Sequence, residues 1–301
     1  MFSGVAPDVR AGPGGALSRC AHTPEQQEQI MTRTIRPPAR TSPVAQPVPQ
    51  RPAPPEPLRE PDLVTAQAIA AHPREGSDPT LRLRQVLGAI ALPSAFILQM
   101  ACNTIYAVIS TSNGLSDVAG AAEALEMYRR FPAEITACSM LVMAGSLLAI
   151  PGLLTALRVL RPYRPRLSLC AVVMMITGYV CYLALTASPL PVALAVQNTP
   201  GAVPALESAQ SGPMFYIPGV VFVLGNLVGT SLLGLAVLLS RRLPWYAGAL
   251  ILGWPVGHSI NVFLGGGEWF AVAGGGLEVV GLTILAAIAV RTPGASWAAR
   301  G

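Results

Sequence analysis

Six hydrophobic runs dominate the chain, at residues 85–109, 135–157, 167–188, 214–240, 243–264 and 269–290. A helix rises about 1.5 Å per residue, so roughly 20 apolar residues cross the 30 Å hydrocarbon core of a bilayer. Each run meets that length. The first five contain no Asp, Glu or Arg, and the last contains only Glu278. The pattern predicts an all-α fold, a six-helix transmembrane bundle over residues 83–291, and leaves no room there for a water-soluble domain.

The chain before the first run reads differently. Residues 1–82 hold about half of the prolines, most of them between Arg36 and Pro61. Proline fixes φ and lacks a backbone donor, and few large apolar residues remain to offset the entropy of ordering. The expectation is a disordered Pro-rich cytoplasmic tail with polyproline II character. The stretch Arg51-Pro52-Ala53-Pro54-Pro55-Glu56-Pro57 suits either a ligand for an aromatic groove on a cytoplasmic partner or a solvated spacer. No apolar signal core follows Met1, and Met31 is an alternative start. Residues 292–301 read as a short cytoplasmic C-terminal tail.

Arginine placement sets the expected orientation. Arg82 and Arg84 precede the first run, and Arg158, Arg161, Arg164 and Arg166 join the second to the third. Arg241 and Arg242 join the fourth to the fifth, and Arg291 follows the sixth. With an even number of spans these all fall on one side. The opposite loops carry Arg129 and Arg130 among Asp117, Glu123, Glu126 and Glu134. Basic loops stay cytoplasmic, so both termini are expected there, in a bacterial plasma membrane. Tyr216, Trp245, Tyr246 and Trp269 stand at run ends as interfacial anchors. Within residues 111–132, Ser116 as a cap, early acids and late arginines predict a short surface helix with charges that complement its dipole. The longer outer loop, 189–213, has prolines and little charge, and its role is not legible in the sequence.

Polar residues inside the runs are the candidates for function. Gln99, Asn103, Tyr106 and Ser110 form one helical stripe of the first span. The fourth places Gly219, Asn226 and Thr230 together, and Gly225 with Gly229 has the small-xxx-small spacing that lets helices approach, here as a helix-mediated oligomer contact. The fifth holds Gly253, Gly257, His258 and Asn261. In the sixth, Glu278 shares a face with Gly274, Gly275 and Gly281, which should point into the bundle. Counting from the turn at Gly265-Gly266-Gly267, His258 lies about 12 Å deep and Glu278 about 18 Å. The candidate intramembrane polar cluster is therefore Gln99, Asn103, Asn226, His258, Asn261 and Glu278. A carboxylate in the bilayer is costly enough to be a functional hypothesis by default. Glu278 reads either as a proton or cation site with His258 as its titrating neighbour, or as hydrogen-bonding packing glue.

Composition agrees with this picture: 52% of the chain is hydrophobic and 12% charged, against about 25% charged in soluble domains. Mean hydropathy is +0.51. The net charge of +5 comes wholly from arginine, as there is no lysine, and the bias toward Ala, Gly and Pro suggests a GC-rich genome. The arginines are spread along a tail and helix-flanking loops, which argues against a nucleic-acid face. Of the cysteines, Cys102, Cys138, Cys170 and Cys181 sit in hydrophobic runs and Cys20 in the tail. Cys170 and Cys181 are about 16 Å apart along one helix and cannot bridge. They read as small hydrophobes.

Three chemical signals fail. Gly257-His258-Ser259-Ile260-Asn261 resembles a nucleophile elbow, but it lies inside a hydrophobic run and no histidine follows it. A pair of axial haem ligands is lacking, since His22 and His72 are in the tail. No metalloprotease, phosphate-loop or paired-carboxylate motif occurs, so no cofactor is expected.

Leu92-Pro93, the Asn103-containing first span, the acidic amphipathic loop and Leu147-Leu148-Ala149-Ile150-Pro151-Gly152-Leu153 before an arginine-rich turn form a recognisable order. Over residues 85–185 it resembles uncharacterised integral membrane proteins of GC-rich actinobacteria. The resemblance implies about six helices and a plasma-membrane location, and it carries no activity. Three readings of function remain: a non-catalytic membrane component that recruits a partner through its tail, a small-solute or proton-coupled transporter, and a membrane enzyme acting on lipid or quinone. Transporters often show broken helices, and Pro255 beside Gly253 and Gly257 is a candidate break.

Overall fold

The computed structural model describes residues 78–115 and 120–300. Among them there is helix and no strand. The six spans are present: α1 (Leu81–Asn113), α3 (Pro132–Leu160), α4 (Pro165–Thr186), α7 (Pro213–Leu238), a fifth built from α8 (Trp245–Ile251) and α9 (Gly253–Leu264), and α10 (Glu268–Arg291). All six are long and apolar enough to cross a membrane, and the chain is a polytopic membrane protein. The proline-rich segment and its proposed groove ligand lie outside the described residues.

Each span packs on the next in chain order, and α10 returns to pack on α1, closing a ring. Its interior is filled by Leu92, Phe96, Leu153, Met175, Leu233, Ile251, Leu282 and Leu285, all buried. The outer surface is equally apolar. Leu83, Leu87, Ile90 and Ile97 form an exposed stripe on α1, and Met140, Leu147 and Leu154 form one on α3. A bundle that is hydrophobic inside and out has lipid as its solvent.

Glycine sets the closeness of the ring. A Cβ on Gly152 would stand 2.7 Å from the Leu92 Cα, so α1 and α3 touch backbone to backbone there. Gly225 and Gly229 of α7 meet Met174, Met175 and Gly178 of α4 in the same way. This face of the pair lies against the chain's own α4.

The sequence boundaries shift at several points. At 33 residues, α1 is about 50 Å long, more than the hydrocarbon core requires. The predicted surface helix is α2 (Ala121–Arg130), with Glu123 in its first turn and Arg129 and Arg130 in its last. Its N-cap is Gly120 rather than Ser116; Ser116 and Asp117 lie outside the described residues. The longer outer loop, 189–213, contains α5 (Leu190–Val196) and α6 (Ala202–Ser211). Ala195 and Ala202 pack with Leu125 of α2 in a small cluster at the acidic end of the bundle.

At the other end the chain does not trail away after α10. The residues read as a tail form α11 (Gly294–Ala298), and Trp297 is 1% exposed, part of the main core. Arg158 lies over its ring, 5.6 Å from the centroid. The arginines here cap helix ends whose last carbonyls lack intrahelical donors. Arg82 donates to Val290 O at 2.8 Å, Arg164 to Leu239 O at 2.9 Å and Arg161 to Arg300 O at 3.0 Å. Buried Gln85 donates to both Ala289 O and Thr292 O, at 2.6 and 2.9 Å.

Candidate functional site

Glu278 is buried, 3% exposed, on the face of α10 that also buries Gly274, Gly275 and Gly281. The glycines bring α10 against the fifth span: a Cβ on Gly274 would stand 2.5 Å from Gly253 O, and one on Gly281 2.7 Å from Ala247 O. This close approach carries the Glu278 carboxyl into the bundle, as the shared face predicts.

Beside it lies a hydrogen-bonded chain across three spans. Trp254 of α9 donates its indole N–H to Asn226 Oδ1 of α7. Asn226 Nδ2 donates to the hydroxyl of Tyr179 of α4 at 3.2 Å. An indole N–H is donor only, so Trp254 fixes the amide with its oxygen toward itself and its nitrogen toward Tyr179. All three side chains are buried. Tyr179 lies within electrostatic reach of Glu278, and it accepts from Asn226 while keeping its own proton to give. Its ring is held edge-on by Phe96 at 5.7 Å and by Phe222 at 6.4 Å.

His258 stacks on Trp254 with centroids 4.9 Å apart. It forms no ion pair with Glu278 among the described residues. Glu278 Oε1 and His258 Nδ1 are two of four buried side-chain atoms without a hydrogen-bond partner among the described residues, with Thr230 Oγ1 and Trp297 Nε1.

Other members of the predicted cluster lie elsewhere. Gln99 turns to α3, where its amide reaches Val142 O at 3.4 Å and Ser146 Oγ at 3.5 Å. The neighbouring Tyr106 packs with Cys102, Cys138 and Val142. Asn103 and Asn261 are half-buried and make no side-chain hydrogen bond to the described residues. The structure thus links Asn226 and His258 through Trp254 and sets Glu278 within electrostatic reach of Tyr179, so that Trp254 and Tyr179, which the sequence reading did not single out, join the candidate residues.

The fifth span is interrupted at Leu252, between α8 and α9. Leu252 keeps φ −66° and ψ −13°, near helical values, and its N–H still bonds Gly248 O. The expected break near Gly253 and Pro255 is a one-residue interruption at Leu252 rather than an unwound stretch.

A cavity of about 250 Å³ lies in the acidic-end layer, lined by Leu125, Glu126, Arg129, Leu194, Asn198 and Thr199. Its carboxylate is already engaged. Hydrogen bonds from Arg129 and Arg130 to Glu126, at 2.5 to 2.9 Å, hold that carboxyl below the usual glutamate range. No set of three metal-ligating side chains occurs among the described residues. Comparison with protein-family descriptions, curated proteins and solved structures returns no match.

Proposed function

We propose that this polytopic protein is a non-catalytic component of a bacterial plasma membrane, of the actinobacterial kind its first two spans resemble, with both termini in the cytoplasm. The observation that carries the reading is how the interior polar groups are used. Asn226 ties α7 to α4 and α9, Gln99 ties α1 to α3, and Gln85 ties α1 to the end of α10. Interhelical hydrogen bonds of this kind, worth about 0.6 kcal/mol on average, hold a bundle together rather than open a path through it. The Pro-rich tail supplies a means of recruiting a cytoplasmic partner.

Orientation rests on the arginine-rich end. Arg82 and Arg164 join the ends of different spans and Arg161 holds Arg300 of the C-terminal segment, forming one basic rim, whereas Arg129 and Arg130 at the opposite end both pair with Glu126. In a background without native cysteines, cysteines placed at Ser116 and Ser208 should react with an impermeant thiol reagent in intact cells. One at Ser42 should not. The reverse labelling would overturn the orientation.

A second reading, proton- or cation-coupled transport, is favoured by one observation: Glu278 Oε1 and His258 Nδ1 are buried without partners. Glu278→Gln separates the two. Glutamine keeps the shape and the capacity to hydrogen-bond but carries no titratable proton. Under the structural reading, parent and variant reconstituted into liposomes should dissipate an imposed pH gradient equally slowly. If the carboxyl carries a proton in a transport cycle, the parent should dissipate the gradient faster than the variant, and that result would overturn the structural reading.

A further inference from the structure

The basic rim contains arginines that cap nothing. Arg166 on the first turn of α4, and Arg241 and Arg242 in the turn between α7 and α8, are exposed and belong to none of the ion pairs among the described residues. They share one corner, because Arg164, two residues before Arg166, donates to the carbonyl of Leu239, two residues before Arg241, at 2.9 Å. The turn is fixed from within, with Leu243 N–H bonded to Ser240 Oγ at 3.1 Å. Arg241 occupies the left-handed region, φ 54°, which glycine adopts freely and arginine does not. The sequence places a charge there despite the conformation.

The surroundings of the corner are one-sided. No Asp or Glu occurs between residues 135 and 206 or between 208 and 267, so neither segment offers these guanidiniums an acid. The 22-residue α4 begins at Pro165 with no side-chain cap and no acid in its first turn, so its positive end faces the same corner. Immediately toward the membrane the surface is apolar and aromatic. Leu169 is 51% exposed, Leu239 48%, Trp245 67% and Tyr246 50%, the last two in edge contact with each other at 6.3 Å. A charged head above and two apolar tails below is the chemistry of one class of ligand.

We propose that Arg166, Arg241 and Arg242, brought together by the Arg164–Leu239 hydrogen bond above the exposed Leu169, Leu239 and Trp245, form a binding site for an anionic phospholipid. The guanidiniums take the phosphate, a geometry their paired N–H groups match. The acyl chains lie on the apolar strip, and Trp245 and Tyr246 mark the headgroup depth. Basic pockets between transmembrane helices bind anionic headgroups in this manner. A free phosphate would use the arginines alone and gain nothing from the strip, which is why the lipid is the occupant.

The test uses the full chain in detergent micelles, with phosphatidylglycerol, phosphatidylcholine or inorganic phosphate added, and lipid binding followed by native mass spectrometry. Phosphatidylglycerol is expected to bind more tightly than phosphatidylcholine. Each arginine replaced by glutamine should weaken the preference roughly fivefold, and R166Q/R241Q/R242Q should abolish it. Replacing all three with lysine, which keeps the charge but not the paired N–H geometry, should retain only part of it. R129Q/R130Q at the opposite end is the control and should leave it unchanged. Circular dichroism confirms that the variants fold. Equal binding of the two lipids, or a preference that survives the triple glutamine change, would overturn the site. Competition by millimolar inorganic phosphate as effective as the lipid would overturn the lipid assignment.

Discussion

Replacing Trp297 with alanine is expected to destabilise the bundle by about 3–5 kcal/mol, the range for truncating a buried large aromatic. The residue is six positions beyond Arg291, the end of the last span, in a segment whose composition suggests a solvated end, yet it is 1% exposed and part of the main core. Three connections converge on it. Arg158 covers its ring at 5.6 Å, a contact worth about 0.5–2 kcal/mol according to its desolvation. Its N–H bonds Pro293 O at 2.8 Å, closing α11 on itself. Gln85 and Arg82 fasten the preceding residues through Ala289, Val290 and Thr292. Removing the ring leaves Arg158 over a void and releases α11 from α3. The Trp297 indole N–H has no partner among the described residues, so Trp297→Phe should cost much less than alanine, because it retains an aromatic face and discards an unpaired donor. Unfolding in mixed micelles titrated with a denaturing detergent measures both variants. An alanine variant as stable as the parent would mean that α11 does not hold the bundle.

The contrast between the spans and this last segment explains what was legible. A membrane span must satisfy a length and an apolarity that lipid imposes on every residue, so the six runs stand out with no knowledge of neighbours. Whether a residue after the last span packs back depends on which neighbours face it. Nothing in Thr292-Pro293-Gly294-Ala295-Ser296-Trp297 has the period that announces a buried face. The same limit acts inside the membrane. The Gln99 stripe shows which residues share a side of α1, but not that α3 takes that side and leaves Gln99 with Ser146 rather than with Glu278. Trp254 was invisible as a polar partner, because an aromatic in an apolar run reads the same whether it faces lipid or an asparagine across the bundle. Glu278 was legible because an acid in a hydrophobic run is a strong exception, and the glycines on its face gave the direction it points.

Replacing Gly225 with leucine is expected to cost at least about 3 kcal/mol, the upper part of the range for overpacking a tight interface, and to change the monomer rather than an assembly. A Cβ at this position would run into Met174 O and stand 2.8 Å from Gly178 Cα and 3.1 Å from Gly178 N. All three are backbone atoms of α4, with no flexible side chain to swing aside, so α7 must move as a whole. Across the contact, a Cβ on Gly178 would lie 3.0 Å from Gly225 Cα, so the two glycines define one closest point. Asn226 is the next residue. A helix pushed off α4 carries it away from the Tyr179 hydroxyl, now at 3.2 Å, and opens the hydrogen-bonded chain to Trp254. Gly276 supplies the control, since a Cβ there would meet only Met100 Sδ at 3.7 Å, and Gly276→Ala should be near neutral. Gly225→Leu should therefore lower the midpoint of detergent-induced unfolding strongly. The mass distribution measured by light scattering should stay as in the parent until unfolding. A Gly225→Leu protein of normal stability that loses a dimer would show that the glycine face joins two copies, against the packing on α4.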